Sequence, residues 1–153
     1  MLRNVIAVLV GCVVGGMVTM GLITVGPLLI PPPAGVDMTT VAGMEAGVAL
    51  LQPRHFLFPW LAHALGTLVG AALAARLAAR HRMALALTVG AAFLAGGIAA
   101  ATMIPAPTWF VALDLVAAYI PMAWLGGTLT RPHRVDQNSR AAEAGGSSTS
   151  TWP

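Results

Sequence analysis

The stretch FLFPWLAHALGTLVGAALAARLAARHR, residues 56–82, decides the fold. Its apolar part is longer than the roughly 20 residues an α-helix needs to cross lipid hydrocarbon, and it closes on Arg76, Arg80, His81 and Arg82. The run therefore reads as a membrane span from about residue 56 to 79, anchored at its basic end. Pro59 falls in the first turn, where a missing N–H costs little, and Trp60 suits a lipid headgroup boundary. Ala62, Gly66, Gly70 and Ala74 recur every four residues, a stripe of small side chains against which a second helix packs closely. His63 and Thr67 share the arc of that stripe, which turns both toward protein rather than lipid.

The same logic extends in both directions. Of the 153 residues, 58% are hydrophobic and 8% charged, and mean hydropathy is +0.82. A soluble domain does not use that much apolar surface. Residues 4–30, 83–104 and 109–130 supply three more spans, so the expected fold class is all-α, a four-transmembrane-helix bundle over residues 1–130. The first span has its own small-residue stripe, Ala7, Gly11, Gly15 and Thr19, and either stripe serves packing within the bundle or a dimer. Leu9-Val10-Gly11-Cys12 resembles a lipobox, but the apolar run before it is too short and the residues after it stay membranous; Cys12 reads as a small packing residue.

Pro31, Pro32 and Pro33 end the first span and open a loop of residues 31–55. Within it Met38, Val41, Met44, Val48 and Leu51 recur at helical spacing, predicting a short amphipathic helix on the membrane surface that starts near Asp37 or Thr39. Residues 131–153 are rich in Ser, Thr, Gly and Ala and read as a disordered polar tail. Arg3, Arg76, Arg80, Arg82, Arg131, Arg134 and Arg140 fall on one side of the membrane and only Arg54 on the other. Positive charge stays cytoplasmic, so both termini are expected inside and the 31–55 loop outside. With no lysine and no basic face, nucleic acid is not an expected partner.

Three segments carry a resemblance: Ile30-Pro31-Pro32-Pro33-Ala34-Gly35-Val36-Asp37, the HALGTLVG run from His63 to Gly70, and Met103-Ile104-Pro105-Ala106-Pro107-Thr108-Trp109-Phe110. Together they are similar to a group of small, uncharacterised four-helix bacterial integral membrane proteins with an outward Pro-Pro-Pro loop, over about residues 4–130. The resemblance implies the architecture and no activity. Ile-Pro motifs at residues 30 and 104 also end the first and third spans on the same side, a faint echo between two hairpins.

Asp114 is the residue that needs a reason, since a carboxylate in a spanning helix costs about 2.5–3.5 kcal/mol near the bilayer centre. Counting inward at 1.5 Å per residue places His63 and Asp114 both about 8–10 Å from the outer surface. Thr24 lies at similar depth, which predicts a polar layer of Thr24, His63, Thr67 and Asp114. That layer is either a His63 to Asp114 clamp or a relay for protons or a small solute. Metal binding by His55, Met38, Met44 and Met103 is a weaker reading, because no close His and Met motif is present, and no metal or other cofactor is expected. Asp37, Glu45 and His55 are the outward candidates for an enzyme and read better as solvated loop residues. The expected function is accordingly a non-enzymatic accessory, scaffolding or complex-stabilising protein of the bacterial inner membrane, working as a homo-oligomer or as a subunit of a membrane complex. A small oligomeric transporter or channel is the alternative.

Overall fold

A computed structural model describes residues 1–37 and 39–130; Met38, the 131–153 tail and its three arginines lie outside the described residues. Among the described residues the chain is all-helical, with no strand. The elements are α1 (Leu2–Leu29), α2 (Val41–Gly47), α3 (Leu57–Leu77), α4 (Arg82–Met103), α5 (Thr108–Ala117) and α6 (Ile120–Leu129). Four stretches, Leu2–Leu29, Pro53–Leu77, Arg82–Met103 and Thr108–Leu129, are long and apolar enough to cross a membrane, which marks a multi-pass membrane protein. α1 has 28 residues, hence about 42 Å of rise against about 30 Å of hydrocarbon, so it tilts or extends beyond the core.

α3 is the central helix and touches α1, α4, α5 and α6. Its apposition with α1 is the most intimate, and the two stripes explain it. Gly11 and Gly15 of α1 meet Gly70 and Gly66 of α3: a Cβ on Gly11 would lie 2.6 Å from the Gly70 carbonyl, and one on Gly15 at 2.6 Å from that of Gly66. The stripes therefore serve contact within the bundle. Thr19 Oγ1 seals the same seam, reaching the Gly15 carbonyl in its own helix and the Ala62 carbonyl across it, each at 3.1 Å.

One end of the bundle carries the N-terminus, the α3–α4 turn and Thr130; the other carries the 30–56 loop and the α4–α5 turn. At the terminal end, Arg3 Nε donates to the Leu77 carbonyl at 2.9 Å, and the Ala79 N–H donates to Asn4 Oδ1 at 3.0 Å. These bonds satisfy groups that α3 leaves unpaired where it stops. The turn into α4 passes through His81 in the left-handed region, φ 57°, which histidine tolerates better than branched residues. Above this end, Ala71, Ala74, Ala75, Ala86, Val89 and Ala123 form a fully buried cluster in which short side chains bring α3, α4 and α6 close.

The fourth span differs from the expectation of one helix over residues 109–130. It breaks at Ala118 and Tyr119 into α5 and α6, because Pro121 has no N–H for the Ala117 carbonyl and its ring crowds that turn. Tyr119 takes φ −113° and ψ −78°, and Pro121 becomes the second residue of the new helix. In the loop, Thr40 caps α2, accepting from the Gly43 N–H at 3.1 Å, while the Asp37 carboxylate accepts from the Thr39 N–H and from both threonine hydroxyls. The cap of α2, Thr40, thus lies one to three residues after the expected Asp37 or Thr39. Asp37 holds the cap, and those hydrogen bonds keep its carboxyl below the usual range.

Candidate functional site

α3 and α5 bring His63 and Asp114 together. Nδ1 of His63 lies 2.9 Å from Oδ1 and 2.8 Å from Oδ2 of Asp114, and the Tyr119 hydroxyl donates to Oδ2 at 2.8 Å. The Tyr119 ring stacks on the imidazole with centroids 5.7 Å apart. Asp114 is buried, with 7% of its side chain exposed, whereas the His63 side chain is 22% exposed.

Tyr119 was not visible as a site residue in the sequence, for a geometric reason. In an unbroken helix, residues five apart stand about 140° from each other, so Asp114 and Tyr119 would face different neighbours. The break redirects the phenol back onto the carboxylate. Gly97 of α4 makes the space, since a Cβ there would strike the Tyr119 hydroxyl. The available signals were that this is the chain's only tyrosine and that it stands two residues before a proline.

The other members of the expected layer do not join. Thr24 is exposed and returns its hydroxyl to the Met20 carbonyl at 2.8 Å. Depth alone suggested it; at 100° per residue it stands about 220° round α1 from Gly11, away from the packing stripe. Thr67 is fully buried one turn deeper than His63, and its hydroxyl has no partner among the described residues. Trp60 packs against the cluster of Ala64, Ala118 and Tyr119, and its Nε1 is buried without a partner among the described residues.

His63 lies on two cavities. The larger, about 340 Å³, occupies the loop-end half of the bundle and is lined mainly by apolar groups, among them Ile23, Phe58, Ala101 and Val111, with His63 and Asp114 supplying polar surface. Met44 and Leu51 of the loop also line it, so α2 and the turn after it form part of its wall. Phe56 packs on Trp109 and Phe110 beside it, with ring centroids 5.6 and 4.9 Å apart. A second cavity of about 330 Å³ lies between α1 and α4 and is lined by Cys12, Thr19, Phe93 and Tyr119 as well as His63.

Of the expected outward candidates, His55 and Met44 line the larger cavity, whereas Met103 is exposed and does not. His55 Nδ1 lies 2.9 Å from the Gln52 amide nitrogen, and its Nε2 is buried without a protein partner. Asp37 is engaged in the α2 cap, and Glu45 lines neither cavity.

Chemically, a carboxylate accepts, so the hydrogen of the bond to Asp114 belongs to Nδ1 of His63. The ring then has Nε2 as its remaining nitrogen, and among the described residues no protein group bonds it. Comparison with protein-family models, curated proteins and solved structures finds no match to this chain.

Proposed function

We propose that this is a non-enzymatic protein of the bacterial inner membrane, accessory or complex-stabilising in role, that holds a small apolar molecule in its loop-end cavity. The observation that carries the reading is a cavity of about 340 Å³ ending on the His63 and Asp114 pair, above a terminal half closed by alanine packing. Pockets for small molecules are typically concave, mostly apolar and set with a few placed polar groups, in the size range of about 300–1,000 Å³. The excess of arginine on the terminal side supports both termini in the cytoplasm and the cavity in the outer half of the bilayer. In that frame α2 lies along the outer surface.

Native mass spectrometry of the protein released from its own membrane tests this. One apolar adduct per chain is expected, and its loss from Ala101→Phe, which fills the cavity; a chain without adduct would remove the reading. A stoichiometric protein partner in the same spectrum would add the complex-stabilising role.

The alternative, a small oligomeric transporter or channel for protons or a small solute, draws on the position of His63 at both cavities. It stands second because fully buried short side chains fill the contact of α3, α4 and α6 in the terminal half. Proteoliposome flux that is lost in Asp114→Asn would put it first, and flux unchanged by that variant would dismiss it.

A further inference from the structure

We infer that the loop-end cavity selects an uncharged, long-chain molecule carrying a hydroxyl, which it donates to Nε2 of His63. The inference rests on the proposed binding role and names the class of ligand. Three observations lead to it.

The polar end of the cavity is already partly committed. Asp114 receives the Nδ1–H of His63 on both oxygens and the Tyr119 hydroxyl on Oδ2. With its hydrogen on Nδ1, a neutral imidazole offers only an acceptor at Nε2. At His63 a guest must therefore bring the donor. Asp114 also strengthens that acceptor, since a carboxylate behind the ring stabilises positive charge drawn onto it.

The charge balance disfavours anions. The Asp114 carboxylate lies in the lining, and among the described residues no arginine lines either cavity. A phosphate or fatty carboxylate would meet like charge there without a guanidinium to offset it. A cationic head would gain attraction but would have to leave water for a chamber walled by Ile23, Phe58, Ala101 and Val111, and desolvating a full charge costs far more than desolvating a hydroxyl. The remaining class is a neutral apolar chain with a terminal or near-terminal hydroxyl.

The lining agrees. Apolar residues from α1, the loop, α3, α4 and α5 form most of the wall, which suits a long apolar chain, and His55 near the loop adds a second polar contact besides the His63 and Asp114 pair.

Photolabelling in nanodiscs tests the inference, using a long-chain alcohol with a diazirine on its chain and mapping adducts by peptide mass. Dodecanol is expected to displace the label from cavity peptides at about a tenfold lower concentration than dodecyl methyl ether, which keeps the chain and loses the donor, in line with one hydrogen bond to a charge-supported group. In His63→Leu the two competitors should become equal. The comparison in the unaltered protein stands even if that variant folds poorly. Cavity adducts displaced equally well by the ether would overturn the hydroxyl inference and leave the binding role intact. Displacement by dodecylamine tenfold better than by dodecanol would overturn it in favour of a cation. Adducts confined to lipid-facing peptides would overturn both.

Discussion

Asp114 couples two donors, and removing it strands both. In Asp114→Leu the His63 Nδ1–H and the Tyr119 hydroxyl lose their acceptor inside the bundle. Each stranded donor costs about 1–3 kcal/mol, so the variant should lose about 2–6 kcal/mol against unfolding by SDS in mixed micelles, followed by tryptophan fluorescence. Tyr119→Phe removes a single bond and leaves the carboxylate with His63, for a loss of about 1 kcal/mol. The double variant His63→Leu with Asp114→Leu removes donor and acceptor together and should cost at least about 1 kcal/mol less than the two single losses added. Strict additivity would show that the pair is not formed in the membrane. These tests address the clamp that the pair provides whatever enters the cavity. The pairing of His63 with Asp114 was readable in the sequence because equal depth on adjacent spans is a one-dimensional count. The loss of Thr24 from the layer was readable too, from its angle on α1. Tyr119 was not, because its placement follows from a break that changes the angle between residues five apart.

At the level of helices, the α1–α3 seam is set by backbone meeting backbone, and this makes its glycines unequal to others in the same helix. A Cβ on Gly66 would fall on Thr19 Oγ1 and within 2.8 Å of the Gly15 carbonyl, and the carbonyl cannot swing away. Gly66→Ala should therefore cost about 1–3 kcal/mol in the same SDS titration, the usual price of overpacking. Gly16→Ala, with nothing within 4 Å of the new carbon, should be neutral or slightly stabilising. Equal gains at both positions would mean that helix propensity rather than the seam governs. The spacing of four named the stripes, and which helix each stripe faces required the three-dimensional packing. In the loop, the α2 cap should respond to pH. Its carboxylate has a lowered pKa in the folded state, so its support is present above the ordinary carboxyl range and is lost as pH falls through the lower folded value. Hydrogen exchange over residues 39–47 should speed up, relative to the intrinsic rate, below about pH 4 in the native chain. In Asp37→Asn it should be faster than native near neutral pH and change little on acidification. Protection that is independent of pH in the native chain would show that Thr40 caps α2 without help from Asp37.

For the whole molecule, hydropathy alone gave four spans, because the cost of burying backbone and apolar side chains in lipid depends on composition over about 20 residues and hardly on packing. Interior breaks escape that measure, since Thr108–Leu129 has the same hydropathy whether it is one helix or two. Orientation is a further property of the whole chain. Arg3 closes the end of α3 on the Leu77 carbonyl, and Arg82 approaches the Thr130 carbonyl at 3.5 Å, so the charges proposed to hold the terminal side in the cytoplasm also engage carbonyls at the ends of their neighbours. Those contacts are the same whichever way the molecule faces, so orientation needs its own test. Cysteine labelling in intact cells checks that placement. In a Cys12→Ala background, a cysteine at Gly35, which has open space around it in the loop although its φ of 87° strains any side chain there, should react with a membrane-impermeant maleimide added outside. A cysteine at His81, in the turn between α3 and α4, should react only after the membrane is opened. Arg3→Gln should leave both results unchanged, since several arginines remain on that side, while weakening the α1–α3 end contact. The reverse pattern, His81→Cys labelled and Gly35→Cys protected in intact cells, would invert the molecule and turn its cavity toward the cytoplasm.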